Sequence, residues 1–407
     1  MDNRNNTDKN EEQNEKLTIT TKRIFESLSA KVVKCSKRTI KTTSDVMEAI
    51  LTENKVKIQE LCERGLPDDL QMLRALVWKI NLGYLTMRSK HWDTFLLEKR
   101  NKYKLYKQMF LEKLKNEFES NNYSSKKLLE DITKDVNRTH IEFSFFFQPV
   151  SKSKQFSKEE LKEIFEKRQN CSLKDIKDIY RLDIEETHAD VLARILFIYA
   201  KFTPDISYHQ GMNEILAPIY YCYSYDKLYI EETEDTIEAD TFWSFYYLMA
   251  DIKSSFDQND KKGTGFKAEI LKKILIIIDK EIYDQLVLYD IKFEFFAYRW
   301  FITFFSQDFE MGDLLRLWDL IFSNENKFYY MFYISIALLL FKREAILKND
   351  MAGIMMEVQK FDDINIEALI KLVGELRKKF DVKIKPMIDQ VISEEDEDNS
   401  LNIKNNI

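Results

Sequence analysis

Apolar residues along this chain recur mostly at the spacing of one face of an α-helix. Leu192, Ile195, Leu196 and Tyr199 follow the positions i, i+3, i+4 and i+7, which puts all four on one side of a helix. Three later sets also indicate amphipathic helices, the first with the same spacing: Phe242, Phe245, Tyr246 and Met249; Ile270, Ile274, Leu275, Ile278, Ile282 and Leu286; Leu314, Leu315, Trp318, Ile321 and Phe322. The second of these sets predicts one helix of several turns. The pattern as a whole predicts an all-α fold in two lobes, without a significant β-sheet.

Two segments could have changed this interpretation, and neither does. The aromatic string at 141–147 is too short to decide between helix and strand, and no repeat of 20–50 residues is visible. The apolar run from Phe328 to Phe341 covers 14 residues and is followed by Lys342 and Arg343. A membrane span needs about 20 residues, so this run predicts a buried core helix.

Composition supports long helices joined by few sharp turns. The 407 residues include only 8 Gly and 5 Pro, where average usage gives about 28 and about 20. Folds that need many tight turns, such as β-sandwiches, propellers and βα-barrels, are therefore disfavoured. An apolar content of 44% is enough for a large core.

Charge and cysteine usage limit the partners and the compartment. The 62 basic and 69 acidic residues leave a formal charge of −7, which does not favour a nucleic-acid partner. Cys35, Cys62, Cys171 and Cys222 are scattered without a CxxC pair, and the polar N-terminus lacks the apolar core of a signal peptide. We expect a soluble cytoplasmic protein with free thiols.

Polar stretches divide the chain. Residues 1–20 and the acidic stretch 393–407 predict disordered tails, and residues 21–60 predict an N-terminal helical segment. Residues 148–187 carry few apolar side chains and predict an insertion. The acidic stretch 224–239 predicts a connector between an N-terminal lobe, about 61–225, and a C-terminal lobe, about 240–380.

The usual signatures of nucleotide, metal and cofactor enzymes are missing from the sequence. It has no GxxxxGK[ST] or GxGxxG phosphate loop, no GxSxG elbow and no HExxH pair. The four histidines show no metal-ligand spacing with each other or with Cys, so we expect each to be a surface or hydrogen-bonded histidine: His91, His140, His188 and His209. We therefore expect no cofactor and no metal site in this chain.

Three clusters combine Gly, Pro, Arg or Gln in a chain where the turn-forming residues Gly and Pro are rare. The first is Arg64-Gly65-Leu66-Pro67, followed by Arg74 and Trp78. Gly-x-Pro before an apolar helical period predicts a turn that leads into a helix, with Pro67 near its first turn. Taken alone, this cluster is typical of an ordinary helix start with a buried Trp.

The second cluster is Ile132, Asp135, Arg138 and Thr139. Asp135 and Arg138 are three residues apart, so on a helix the carboxylate can orient the guanidinium. Taken alone, such a pair is most often a surface ion pair of little consequence.

The third cluster runs from Tyr208 to Glu214 in the string YHQGMNE. Gln210 stands beside Gly211 at the predicted entrance of a helix, where its side-chain amide can be held toward a ligand. A polar first turn of a helix is the alternative interpretation.

Taken in order, the three clusters resemble the TBC-domain family, whose members accelerate GTP hydrolysis on Rab-type small GTPases. That family carries RGxP…W, IxxDxxR and YxQGM motifs in this sequence order. The matching residues are Arg64, Gly65, Pro67 and Trp78, then Ile132, Asp135 and Arg138, then Tyr208, Gln210, Gly211 and Met212. The resemblance covers about residues 61–380, and the strings RILFIYAKFTP, YHQGMNEILAPIYY and EADTFW look most similar to the member 13 type.

The resemblance implies a mechanism with two fingers supplied in trans. It makes Arg138 the arginine that neutralises charge on the transferring phosphoryl group and Gln210 the amide that aligns the attacking water. Asp135, Tyr208, Gly211 and Thr139 are then supporting residues. GTP and Mg²⁺ belong to the partner, a GTP-bound Rab, through which peripheral association with endomembranes and a role in vesicle trafficking are expected.

Two alternatives remain open. A helical module on the same fold could bind a Rab without catalysing anything; the presence of both finger residues favours activity. A membrane-tethering scaffold could use a basic segment that falls near one helical face: Lys31, Lys34, Lys37, Arg38 and Lys41. A solvated basic face is the simpler interpretation of that segment.

Overall fold

The computed structural model describes residues 18–119, 124–140, 143–151, 186–225, 232–256, 263–361 and 363–391, with single residues 157, 160 and 228. Its α-helices, numbered within these residues, are α1 (Ile19–Val32), α2 (Lys37–Leu51), α3 (Lys55–Glu63), α4 (Gln71–Asn81), α5 (Trp92–Glu119), α6 (Ser124–Val136), α7 (His188–Phe202), α8 (Met212–Tyr225), α9 (Glu234–Ile252), α10 (Thr264–Ile278), α11 (Lys280–Leu288), α12 (Glu294–Thr303), α13 (Met311–Phe322), α14 (Lys327–Phe341), α15 (Arg343–Lys348), α16 (Met351–Glu357) and α17 (Ile366–Ile388).

The fold is all-α, as the periodicity predicts. The β pairing found in the described part of the chain is a single antiparallel bridge between Pro149 and Thr187. Helices α1–α9 pack mainly on one another and form the first lobe, and α10–α17 form the second lobe. The seam between them is formed by α3 and α4 against α13 and by α8 against α12 and α13.

One continuous hydrophobic core runs through both lobes. The aromatic run that could have been mistaken for a membrane span lies in α14, where every residue from 327 to 339 is buried against neighbouring helices. Among the described helices, none combines the length and the apolar character that crossing a bilayer requires.

The single long helix predicted from Ile270 to Leu286 is wrong, because the chain breaks at Asp279. Helix α10 ends at Ile278, and Asp279 takes an extended conformation with φ −148°. Its carboxylate accepts a hydrogen bond from the Ile282 N–H at 3.1 Å and so caps α11. A short polar side chain favours this capping geometry over a place inside a helix.

The connector predicted at 224–239 is also corrected, because α9 begins at Glu234 and belongs to the first lobe. Thr233 caps α9, and the helix packs on α5, α7 and α8. Asp235 in its first turn is exposed, but Glu238 is a buried partner rather than a solvated charge and binds Arg194 at 2.7 Å. Burial opposes ionisation of this carboxyl, yet Arg194 and Lys107 lower the pKa of Glu238 to about 2.

The ends of the chain and the insertion fall largely outside the described residues. This holds for most of the predicted tail 1–20, for 393–407 and for most of 148–187, including Cys171. The first described helix already begins at Ile19, within the stretch expected to be a tail. The basic segment is exposed but does not form one helical face, because α1 ends at Val32 and α2 begins at Lys37.

Candidate functional site

The first loop of the site, residues 137–140, follows directly after α6. The helix ends at Val136, and the Arg138 N–H donates to the Asp135 carbonyl at 3.0 Å in the turn that follows. The side chain of Arg138 is exposed, whereas Thr139 is fully buried. Buried neighbours therefore hold this loop so that its arginine points into solvent.

The predicted helical ion pair between Asp135 and Arg138 is not formed. Arg138 lies beyond the end of α6, and the Asp135 carboxylate instead accepts the hydroxyl proton of Tyr208 at 2.8 Å. Burial raises the pKa of Asp135. The hydrogen bond from Tyr208 and the charge of Arg138 lower this pKa and offset part of that increase. The Arg138 guanidinium thus acts on the Asp135 carboxylate only through its charge, and it makes no hydrogen bond among the described residues.

The second loop, residues 207–211, precedes α8. Gly211 has φ +104°, and a Cβ at this position would lie 2.6 Å from Cγ2 of Ile302 in α12. Only glycine combines that backbone conformation with so close an approach of the second lobe. Gln210 beside it is exposed, so the loop presents an amide from a backbone that is pressed against α12.

Asn213, the second residue of α8, joins the two loops. Its Oδ1 accepts the Gly211 N–H at 3.0 Å, and its Nδ2 donates to Thr139 Oγ1 at 2.8 Å. The side chain is only 4% exposed. The structure thus brings all six predicted site residues into one constellation, with Arg138 and Gln210 at its surface.

Sequence reasoning placed Asn213 within the third cluster but gave it no role. The signal that could have found it is a short polar side chain two residues after a glycine at a helix entrance, where such side chains bind backbone N–H groups. Its partners in the first loop lie more than 70 residues away in the sequence, and no spacing rule reports them.

A neutral acid–base pair lies beneath the loops. His140 Nε2 and Glu214 Oε2 are 3.8 Å apart, a separation at which oppositely charged groups would form an ion pair. Burial, however, lowers the pKa of His140 to about 4 and raises the pKa of Glu214 to about 7. Both groups are therefore neutral between those values, and Glu214 also accepts from Asn213 Nδ2 at 3.2 Å.

Unusual backbone conformations gather around this site. Six described residues other than glycine have positive φ, and four of them flank the two loops and the neighbouring end of α12: His140, Ser207, Phe304 and Phe305. Such conformations cost about 1–3 kcal/mol each and persist where the surroundings over-determine them. Their position here marks the loops as tightly specified.

The first cluster lies elsewhere on the seam and has a different character. Asp319 of α13 accepts from Arg74 Nε at 3.0 Å, from Trp78 Nε1 at 2.9 Å and from the Leu66 N–H at 3.0 Å. Arg74 and Asp319 are fully buried. The Gly65-Leu66-Pro67 turn and its tryptophan therefore bind α4 to α13 and present no group to a partner.

The described residues offer no metal site, since no three His, Cys, Asp or Glu side chains among them could hold an ion together. His188 is a hydrogen-bonded core histidine, with Nδ1 2.7 Å from the Tyr220 hydroxyl. Cys35, Cys62 and Cys222 are free thiols.

Comparison with known proteins gives the family. The model of the Rab-GTPase-TBC domain matches residues 148–347, which include the second loop and the seam helices α8, α12 and α13 but neither α3 nor α4. This chain contains a TBC domain. The match begins shortly after the first loop, so Arg138 lies just outside the matched segment of this TBC-domain protein.

Individual relatives extend the match over most of the chain. Human TBC1 domain family member 13 is 29% identical over 376 residues, covering 79% of this chain and 93% of the relative. The GTPase-activating protein GYP1 of Saccharomyces cerevisiae is 21% identical and covers 76% of this chain, which spans 43% of that relative. The crystal structure of the Ypt/Rab-GAP domain of Gyp1p shares the fold, with a TM-score of 0.62 at 19% identity, over 88% of this chain and 99% of that one.

Proposed function

We propose that this TBC-domain protein is a GTPase-activating protein for Rab-type small GTPases, and that it supplies Arg138 and Gln210 in trans to the GTP-bound partner. One observation carries the proposal: two exposed polar side chains, an arginine and a glutamine, stand on separate loops that share one buried residue, Asn213. The family match and the name of the yeast relative support the class of partner.

The chemistry of GTP hydrolysis suits these two residue types. A water attacks the γ-phosphorus while the bond to the β–γ bridging oxygen breaks, and negative charge spreads over the transferring group and the leaving oxygen. The permanently charged, planar guanidinium of Arg138 neutralises that charge, and arginine fingers are worth about 10³ to 10⁵ in rate. The Gln210 amide orients the water. The nucleotide and Mg²⁺ are contributed by the GTPase.

The supporting residues act on the loops rather than on the nucleotide. Tyr208 donates to Asp135 at 2.8 Å, Thr139 Oγ1 donates to the Asp135 carbonyl at 3.0 Å, and Gly211 lets the second loop approach α12. Rigid positioning of a finger matters because an error of about 1 Å can cost 10²-fold in rate. Regulation of vesicle trafficking, with peripheral membrane association through the Rab, follows from this activity.

The test is a GTP-hydrolysis assay across a panel of purified Rab proteins. We expect wild type to stimulate at least one Rab, Arg138→Ala to lose about 10³-fold or more of that stimulation, and Gln210→Ala roughly 10²-fold. Arg88→Ala and Gln359→Ala serve as matched controls, because both side chains are exposed and contact neither loop.

Three outcomes would count against the proposal. Full stimulation by Arg138→Ala would refute the arginine assignment, and a wild-type rate for Gln210→Ala on every responsive Rab would refute the second finger. No stimulation of any Rab, combined with preferential binding to a GTP-loaded one, would instead establish the alternative of a silent Rab-binding module.

A further inference from the structure

We propose that Asn213 is a positioning residue that couples the first loop to the second, so that one buried amide sets the aim of both fingers at once. The catalytic part of this inference rests on the function proposed above. The structural part, that the two loops share their order through this side chain, stands on its own and is tested separately below.

The oxygen of the amide fixes the second loop. Asn213 Oδ1 accepts the Gly211 N–H at 3.0 Å and lies 3.2 Å from the Tyr208 hydroxyl. That hydroxyl has a single proton and a shorter acceptor, Asp135 Oδ2 at 2.8 Å, so the Gly211 bond is the main one. Gly211 is the residue directly after Gln210, and a bond to its N–H therefore restrains the peptide that carries the glutamine.

The nitrogen of the same amide fixes the first loop. Asn213 Nδ2 lies 2.8 Å from Thr139 Oγ1, 3.2 Å from Glu214 Oε1 and 3.5 Å from the Asp135 carbonyl. Thr139 directly follows Arg138 in the chain. The orientation of the amide is decided by its partners, because the Gly211 N–H can only donate and the Asp135 carbonyl can only accept.

Asparagine is the side chain that this position requires. It must accept on one side and donate on the other, in a site that leaves only 4% of it exposed. Aspartate cannot donate to Thr139, a leucine of similar size can do neither, and the longer glutamine does not fit the same separations. Losing the amide leaves buried donors and acceptors on both loops unsatisfied, which disorders both loops together.

Backbone hydrogen–deuterium exchange of the isolated full chain tests the structural part. We expect Asn213→Ala to speed exchange in residues 137–140 and in residues 208–211. Thr139→Val has the same volume but lacks the hydroxyl, and should affect the first loop much more than the second. Asn54→Ala is the control. The side-chain oxygen of Asn54 accepts the Lys57 N–H at 3.0 Å and caps α3, so this substitution removes a comparable hydrogen bond and touches neither loop. Faster exchange in only one loop of Asn213→Ala would overturn the coupling.

Kinetics on a responsive, GTP-loaded Rab test the catalytic part. Asn213→Ala should lower kcat about 10- to 100-fold, with KM changed less than about threefold, since the exposed contact surface is kept. Its effect should shrink when Arg138 or Gln210 is already Ala, because the amide acts through those two residues. An unchanged kcat, or the same fold loss in every background, would refute the positioning role.

The two parts fail separately. If no Rab responds to wild type, the proposed function falls, and the exchange experiment still decides whether Asn213 couples the loops. If wild type stimulates a Rab and Asn213→Ala stimulates it equally, the function stands and the inference falls. Should Asn213→Ala not fold, the same comparison can be made with Thr139→Val, which replaces a hydroxyl by a methyl group, and with Tyr208→Phe, which removes a hydroxyl.

Discussion

Two polar clusters on the seam between the lobes have similar designs and different surroundings. In the Asp319 cluster, one carboxylate accepts from Arg74, Trp78 and the Leu66 N–H, and every one of these groups is buried. In the Asn213 cluster, one neutral amide binds Gly211 and Thr139, and the residue next to each of them is an exposed finger candidate.

The contrast teaches how to separate stability from function in this molecule. A charged, closed cluster can only bind α4 to α13. The neutral Asn213 cluster lies beneath the exposed side chains of Arg138 and Gln210 and is flanked by residues with positive φ. It therefore holds the two loops in one arrangement. Substitutions in the first cluster should therefore change unfolding, and substitutions in the second should change the stimulated rate.

The largest expected stability change comes from Asp319→Ala. Arg74 would lose its buried partner and keep only Asp68, whose exposed carboxylate lies 2.7 Å away, and breaking a buried ion pair costs about 3–5 kcal/mol. Burial disfavours the charge of Arg74, and Asp319 raises the pKa of Arg74 more than Asp68 does, so Asp68 offsets the loss of Asp319 only in part. Urea unfolding measures the effect, and the protein that remains folded should keep its kcat.

Urea unfolding of Arg138→Ala provides the matched comparison for Asp319→Ala. Arg138→Ala removes a guanidinium that forms no hydrogen bond among the described residues and keeps the backbone N–H that binds the Asp135 carbonyl, so its unfolding curve should superimpose on that of wild type. Equal destabilisation by Arg138→Ala and Asp319→Ala would remove the distinction between the two clusters.

The sequence predicted the helical scaffold for identifiable reasons, and the roles that it assigns to the residues of the candidate site stay predictions. Helices α7, α9 and α13 follow from apolar periodicity alone, and the buried α14 follows from a run too short for a membrane. The positions of Arg138 and Gln210 depend on motif order, and the structure places both at the surface. The helix break at Asp279 was missed because a cap depends on one side-chain conformation.

What the sequence could not supply is the set of long-range polar contacts. The bond from Asn213 to Thr139 joins residues 74 apart, and that from Arg74 to Asp319 joins residues 245 apart. The expected Asp135–Arg138 pair failed for a related reason. Tyr208, brought in from another part of the chain, takes the carboxylate that local spacing had assigned to the arginine.

A second, smaller effect is expected at Glu214, which lies beneath the Asn213 cluster. Burial raises the pKa of this carboxyl from an ordinary value of 4.5 to about 7. The folded state therefore favours the protonated form, and the contribution of Glu214 to stability should fall as pH rises from about 4.5 through about 7. A pKa that differs by one between the folded and unfolded states corresponds to about 1.4 kcal/mol, so the total loss is on the order of 3 kcal/mol.

Glu214→Gln should remove this dependence and make the protein more stable than wild type at pH 8. Urea unfolding at pH 5, 6, 7 and 8 gives the two curves, with Glu310→Gln, an exposed carboxyl, as the control. Parallel curves for wild type and Glu214→Gln would show that the carboxyl is ionised in the folded state throughout, and that its neutral pairing with His140 is wrong.

The smallest effect compares the two glycines at which the clusters meet the second lobe. Gly65 has φ +87° and Gly211 has φ +104°, so Ala at either position is strained by about 1–2 kcal/mol. At Gly65 the new Cβ would meet the Arg316 guanidinium, the far end of a flexible side chain. At Gly211 it would meet Ile302 Cγ2 at 2.6 Å, and the second loop must shift to relieve that contact.

We therefore expect similar losses of stability and different losses of activity for the pair. Gly65→Ala should leave kcat on a responsive Rab within about twofold of wild type. Gly211→Ala should lower it by about tenfold or more, because Gln210 moves with its neighbour and a displacement near 1 Å can cost up to 10²-fold. Equal kcat values for Gly65→Ala and Gly211→Ala would mean that the contact between the second loop and α12 does not aim the glutamine.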